Sequence, residues 1–332
     1  DPLAAAQAMA LELNAEKAGK LLAQHTQWWR EFWAHSLVEI GDPFLEKTYY
    51  VSNYTLGSAL RDPEFPTGLF GLWVTSDDPR WAGDYHLNFD YQSQFYGLYS
   101  SNHIEQANTY HAPILAFMDK GKWYAKEILK IRGVYYCVGI GAMGIDTCQM
   151  GDRTNASYER GGCFMGQKTN AAYSVVPMSM HWYATYDKNY GKTVYPFVLE
   201  VANFWEDYLK YEPDGKANGL DGRYVIYNDS IQENSGEDMN SIMSLGLVRN
   251  VFETVLDMSK ELNVDAPRRE KWQHILKHLS DLPTQEKDGK TVFRYSEKGT
   301  EWKDGNSCGI QHIYPAGAIG LDDDPKLLEI AR

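Results

Sequence analysis

Helical periodicity recurs along most of this 332-residue chain and limits its fold more than any other feature. Asp42-Pro43 adds a capping residue followed by a favoured first helical residue, which marks one helix start. Strand-like runs do not alternate with the helical segments, so the pattern predicts an all-α layout in which helix pairs form a toroid. The predicted helices span residues 3–40, 43 to about 60, the end of the 81–96 stretch to about 108, about 109–128, 171–187, 191–212, 237–262, 267–280 and 327 onward.

The connection from Gly133 to Lys168 differs from the helical segments in composition. It is rich in Gly, Cys and Met with short polar runs, which predicts a long loop or a small β excursion. Loops of that length inside compact domains are usually functional. Residues 215–228 and 287–309 read as irregular connections with some strand-like alternation.

The four cysteines stand at positions 137, 148, 163 and 308. None has C-x-x-C spacing, and the chain carries no phosphate-loop or dinucleotide fingerprint, so the sequence predicts no metal site and no cofactor. Three of the cysteines fall within the 133–168 connection, where a disulfide would suit an exported protein. The sequence leaves their pairing open.

Charge and aromatic content narrow the class of partner. The net charge of −13 has no compensating basic block, which excludes nucleic acid and an anionic membrane surface and favours a neutral substrate over a polyanion. No apolar run is long enough to insert in a membrane. The 23 Tyr and 10 Trp fit both a large core and carbohydrate stacking, and composition leaves both readings open, as it does the oligomeric state.

The stretch from Trp81 to Tyr96 combines a His, an Asn, two Asp and several aromatic side chains. A buried core disfavours so many polar groups, because each one costs stability unless it finds a hydrogen-bond partner. A sugar-binding cleft uses them, with aromatic faces for the pyranose ring and amides and carboxylates for its hydroxyl groups. His86 alone also fits a core histidine, and its spacing from the nearby aspartates matches no compact metal-ligand pattern.

Five short motifs in a fixed order resemble the catalytic domain of glycoside hydrolase family 95. Each motif is weak by itself, but their order and rough spacing agree over nearly the whole chain. The motifs are Pro66-Thr67-Gly68-Leu69-Phe70-Gly71-Leu72-Trp73, Tyr85-His86-Leu87-Asn88-Phe89-Asp90-Tyr91-Gln92, Val176-Pro177-Met178 with the aromatic residues that follow it, Ser230-Ile231-Gln232-Glu233-Asn234, and Ile313-Tyr314-Pro315-Ala316-Gly317-Ala318-Ile319.

The resemblance implies an (α/α)6 barrel that hydrolyses α-L-fucosides with inversion, with α-L-galactosidases among its relatives. It implies that residues 1–332 are one catalytic-domain fragment, incomplete at its C-terminal end and without flanking β domains, from a secreted or periplasmic protein. The substrate would be an oligosaccharide or polysaccharide. By their positions in the matching motifs, the resemblance implies that Glu233 is the general acid and that His86 and Asn88 bind the sugar or position the water.

Three positions depart from the family pattern. Asp90 stands where the family usually has Asn, Phe70 replaces an amide, and residues 304–310 do not match the segment H-R-H-x-S-H-L. A carboxylate at position 90 takes a proton from water better than an amide. Because an inverting enzyme needs an acid and a base roughly 6.5–9.5 Å apart, we predict Asp90 as the general base opposite Glu233. The alternatives are a hydrogen-bonding or capping role for Asp90 and a capping or surface role for Glu233.

Further candidates for substrate contact are Trp73, Trp81 and Tyr85 as stacking platforms, Asn234 beside the acid, and His312 near the last motif. Core packing is the stronger alternative for Trp73, and a structural role fits His312 equally well. Two other functions fit the same features. One is an (α/α)6 glycosidase or phosphorylase of another sugar, and the other is a non-catalytic glycan-binding protein, which the missing histidine-rich segment favours.

Overall fold

The computed structural model describes residues 1–71, 76–147, 166–231, 237–301 and 307–332. Helices dominate these ranges, as the periodicity predicts. A π-helical turn, Ala125–Leu129, follows the seventh helix directly. The helices are α1 (Pro2–Glu12), α2 (Ala15–Ala34), α3 (Pro43–Ala59), α4 (Asp90–Ser100), α5 (Ile104–Ala107), α6 (His111–Ala116), α7 (Met118–Tyr124), α8 (Asn170–Thr185), α9 (Lys188–Tyr208), α10 (Ile242–Leu262), α11 (Arg269–His278) and α12 (Pro325–Ala331).

The strands of the described residues form antiparallel pairs rather than a larger sheet. Strand β1 pairs with β2, β3 with β4, β5 with β8, and β6 with β7. The third and fourth strands make a hairpin in the connection where the sequence shows strand-like alternation. The strands are β1 (Tyr85–His86), β2 (Gly139–Ile140), β3 (Lys210–Ala217), β4 (Leu220–Val225), β5 (Met239–Ser241), β6 (Thr284–Lys287), β7 (Lys290–Phe293) and β8 (Ser296–Lys298).

Local capping explains where the predicted helix boundaries hold and where they fail. Asp42 starts α3 as predicted, because its side chain accepts hydrogen bonds from the Phe44 and Leu45 amides. The single helix predicted over residues 3–40 is wrong, because the side chain of Asn14 accepts from the Lys17 amide and starts a second helix. The helix predicted from residue 237 begins instead at residue 242, since β5 pairs with β8 just before it.

The core is centred on α8, α9 and α10, which pack against one another, while α4 packs on α8. Trp182 of α8 and Trp205 of α9 are fully buried. The indole nitrogen of Trp182 donates to Asp257 of α10 at 2.7 Å and ties two of these helices together. Replacing a Trp buried in this way by Ala typically costs about 3–5 kcal/mol.

The 133–168 connection is described in part, and its described portion contains the short strand β2. Cys137, in the same connection, is disulfide-bonded. In the described parts of the chain, no helix has both the length and the apolar composition needed to cross a membrane.

Candidate active site

The segment from Tyr85 to Gln92 is held in place from both sides. In the β1–β2 pair, Tyr85 lies opposite Ile140 and His86 opposite Gly139. The Tyr85 hydroxyl donates to the Pro66 carbonyl at 2.7 Å, which connects the first two family-like motifs. The Gln92 side chain donates to the Leu87 carbonyl at 2.6 Å and fixes the turn that leads into α4. These bonds make the segment a rigid support for the polar side chains between them.

Asp90 is the first residue of α4 and is half-buried. The partial positive charge at a helix N-terminus stabilises a carboxylate in this position. Tyr173 of α8 lies near enough for the charge of Asp90 to help raise the pKa of its hydroxyl, although burial is the largest cause. Asp90 therefore lies where α4 and α8 meet, in a position that favours its ionised form.

Trp81 and His86 form a stacked pair, with ring centroids 4.4 Å apart and planes inclined by 26°. Trp81 is 51% exposed, whereas His86 is only 7% exposed. The Nδ1 atom of His86 lies 3.3 Å from a carboxylate oxygen of Asp84, which orients the imidazole. One indole face thus rests on His86, and about half of Trp81 stays open to solvent.

The backbone of Trp81 has a φ of +51°, in the left-handed region that bulky side chains rarely adopt. Phe70 contacts the same indole edge to face, with centroids 5.9 Å apart. Residues held in such sparsely populated conformations cluster at functional sites, where their surroundings impose the conformation. The geometry of Trp81 is consistent with a side chain placed to contact a ligand.

Asn88 is half-buried, and its amide group donates to Gln167 Oε1 at 3.3 Å. Gln167 is buried and directly precedes Lys168, whose ammonium group donates to the Gly166 carbonyl at 2.8 Å. The backbone amide of Lys168 donates in turn to the buried carboxylate of Asp229 at 3.1 Å. This chain of contacts joins the predicted sugar-binding segment to the residues that directly precede the Ser230–Asn234 motif.

Three of the predicted site residues, Glu233, Asn234 and Trp73, lie outside the described residues. The structure describes both flanks of the motif that contains Glu233. Asp229 and Asp238 form an antiparallel bridge there, with their backbone N–H···O distances at 3.1 and 2.8 Å. The two ends of the segment that carries the predicted acid are therefore fixed against each other.

Tyr85 and His312 are both buried. Tyr85 is 5% exposed, stacks at a tilt on Tyr91, and its pKa is raised to about 12 by burial. His312 has no exposed surface, contacts Phe293 edge to face at 4.7 Å, and lies against Gly246 of α10. Burial lowers the pKa of His312 to about 4, so the imidazole is neutral near pH 7.

Sequence reasoning gave no site role to Lys168 and Tyr173. Both are buried and lie close to the predicted site residues. Lys168 had no signal in the sequence, because lysine side chains are mostly exposed and only the structure shows this one to be buried. Tyr173 had none either, because the chain contains 23 tyrosines and Tyr173 lies in a helix in which most residues are buried. Within the described ranges, no three His, Cys, Asp or Glu side chains gather in a way that could hold a metal ion.

The family model of the glycosyl hydrolase family 95 catalytic domain matches residues 4–332. The chain belongs to glycosyl hydrolase family 95. This confirms the resemblance to the family that the five motifs suggested.

One curated relative of this family 95 chain is "Probable alpha-fucosidase A" from Aspergillus niger, which is 36% identical over 59 residues. That match covers 18% of this chain and 7% of the fungal protein. Among solved structures, the chain is similar to "Putative kojibiose phosphorylase from human microbiome", with a TM-score of 0.59 and 12% identity. The similarity covers 85% of this chain and 41% of that one. The fold is thus an all-α toroid of the (α/α)6 type, as predicted.

Proposed function

We propose that this chain is the catalytic unit of an inverting glycoside hydrolase that removes a terminal α-L-fucosyl or related α-L-galactosyl residue from a glycan. The observation that carries the proposal is the family 95 match over residues 4–332. The name of the Aspergillus niger relative supports fucose as the first sugar to test. In this proposal Glu233 is the general acid and Asp90 the general base.

The setting of Asp90 supports a base rather than a simple hydrogen-bonding role. A general base must be ionised, and the N-terminus of α4 favours the ionised carboxylate. It must also reach a water molecule on the face of the sugar opposite the acid, which requires roughly 6.5–9.5 Å between the two carboxyl groups. Asp90 is half-buried rather than enclosed, so a water molecule can approach it.

The described surroundings also support a site for a neutral sugar. The open part of Trp81 offers a flat apolar face, and Asn88 and His86 lie close by as polar groups for hydroxyls. We assign structural roles to Tyr85 and His312 rather than contact with the sugar, because both are buried. The disulfide at Cys137 supports the proposed secreted or periplasmic location, where such bonds persist.

The test is hydrolysis of 4-nitrophenyl α-L-fucoside and α-L-galactoside, with the anomer of the first product read by proton NMR. We expect the wild type to release the inverted sugar. We expect Glu233→Gln and Asp90→Asn each to lower kcat by about 10²–10⁴-fold, the usual contribution of general acid or base catalysis. Variants that match the wild type would show that these two carboxylates are not the catalytic pair.

Two further measurements distinguish the hydrolase from a phosphorylase and from a non-catalytic glycan-binding protein. Adding inorganic phosphate should not change the product, because the negative charge of Asp90 would repel phosphate from the position of the attacking water. A sugar 1-phosphate as product would identify a phosphorylase instead. Calorimetric binding of free fucose or galactose without turnover of any glycoside would identify a non-catalytic glycan-binding protein.

A further inference from the structure

Asp229 is fully buried, and its carboxylate accepts hydrogen bonds from two distant parts of the chain. One oxygen accepts from the Lys168 amide at 3.1 Å. The other accepts from the Ser241 hydroxyl at 2.8 Å and from the Ser244 hydroxyl, at the start of α10. Asp229 therefore fixes the chain just before the Ser230–Asn234 motif to α10 and to the end of the 133–168 connection.

Asp238 does the same on the other side of the motif and is 1% exposed. Its carboxylate accepts from the Ile231 amide at 2.9 Å, and from the amide and hydroxyl of Thr300 at 2.6 and 3.2 Å. A side chain at Gly299 would overlap this carboxylate, so the glycine makes room for it. The bond to Ile231 reaches across the base of the motif from one flank to the other.

The pairing of these two aspartates is costly for a purely structural turn. Like charges opposite each other in an antiparallel ladder are destabilising, and burying a carboxylate costs stability unless several donors compensate it. Here each carboxylate receives three hydrogen bonds from groups in the described parts of the chain, and the two backbones also bond each other. The arrangement restricts the ends of the eight-residue stretch 230–237 much more than a turn needs.

We propose that Asp229 and Asp238 are positioning residues for the general acid, acting together as a clamp at the base of the segment that contains Glu233. The clamp rests on the proposed function, since it fixes the two described ends of the segment that carries the proposed acid. Misplacing a catalytic group by about 1 Å can cost roughly 10²-fold in rate. The clamp does not touch the substrate, so it acts only through the acid.

Dependence on the leaving group distinguishes positioning of the acid from general destabilisation. Phenyl α-L-fucoside needs its leaving oxygen protonated, whereas 2-chloro-4-nitrophenyl α-L-fucoside releases a stable anion without that proton. We expect Asp238→Asn to lower kcat on the phenyl fucoside by about 10–100-fold and on the activated fucoside by less than about threefold. Ser244→Ala, a milder change that removes one donor to Asp229, should show the same preference at a few-fold loss.

Asp257→Asn is the matched control, because the change is the same, and Asp257 lies on α10 and accepts from Trp182 rather than from the clamp. Asp257→Asn should change kcat by the same factor on the phenyl fucoside and on the activated fucoside. An equal loss on both substrates in Asp238→Asn and Ser244→Ala would overturn the proposal, because it would show a structural role alone.

Amide hydrogen exchange gives a readout that needs no activity. We expect peptides covering residues 229–231 and 298–301 to exchange faster in Asp238→Asn than in the wild type, while peptides from α8 and α9 are unchanged. Unchanged exchange there would overturn the clamp. If the wild type hydrolyses neither fucoside nor the matching galactosides, the proposed function fails, and the exchange result still decides whether the two carboxylates fix this segment.

Discussion

Truncation of Trp81 to alanine tests whether the exposed indole is a sugar platform. Trp81 is 51% exposed, which leaves about 125 Å² of a side chain of roughly 250 Å² open to a ligand. A pyranose face covering half of that area would bury about 60 Å², worth about 1.5 kcal/mol at 25 cal/mol per Å². The expected result for Trp81→Ala is therefore about a tenfold rise in KM, with kcat changed by less than about threefold.

The same substitution should also lower stability, by roughly 1–3 kcal/mol in all. Trp81→Ala removes the stack on His86 and the contact with Phe70, each worth about 0.5–1.5 kcal/mol. Trp81→Gly would recover up to about 1 kcal/mol of this, because glycine adopts a φ of +51° without strain. Urea unfolding of both variants measures this difference and shows whether the fold is intact.

The assay is steady-state hydrolysis of the 4-nitrophenyl fucoside and galactoside, with Trp81→Tyr as the control that retains an aromatic face. Trp81→Tyr should keep KM within about threefold of the wild type, because the flat face remains. An unchanged KM in Trp81→Ala would refute the platform, and a fall in kcat alone would place Trp81 in support of the catalytic residues instead.

Two further predictions concern stability. His312 has a folded pKa of about 4 against about 6.5 unfolded, so the unfolded chain binds more protons and stability falls as the pH drops from 6.5 towards 4. Between pH 7 and pH 5 the protonation of His312 should lower the free energy of unfolding of the wild type by about 2 kcal/mol. In urea titrations at the two pH values, the free energy of unfolding of His312→Gln should therefore fall by about 2 kcal/mol less than that of the wild type. The second prediction compares two glycines. Gly133→Ala should destabilise by more than about 2 kcal/mol, because φ is +83° and a Cβ would overlap the Glu200 carbonyl, whereas Gly97→Ala, at an exposed position of α4, should stabilise by about 0.5–1 kcal/mol. Equal thermal midpoints for the two alanine variants would contradict the reasoning.

Local chemistry made several features predictable. The start of α3 follows from Asp42 and Pro43, because a cap depends only on neighbouring residues. The helical content follows from apolar spacing, and the family follows from the order of five motifs. The same locality explains the errors, since the split at Asn14 needed only a capping side chain that the periodicity of the surrounding residues concealed.

Features that depend on partners distant in sequence were not predictable. Tyr85 and Trp81 both read as stacking platforms, yet one is buried against Tyr91 and the other is half exposed. The difference arises because Pro66 and β2 enclose Tyr85. The residues next to Tyr85 in the sequence do not predict either contact. The clamp formed by Asp229 and Asp238 is likewise made by donors from as far away as Lys168 and Thr300.

The sequence by itself therefore determined the mainly helical content and the family, because these depend on neighbouring residues and on motif order. Tertiary structure alone decided which aromatic side chain faces solvent, which histidine is neutral and buried, and what holds the ends of the Glu233 segment. Burial and long-range hydrogen bonds are properties of packing, and a pattern of neighbouring residues does not specify which distant groups will supply them.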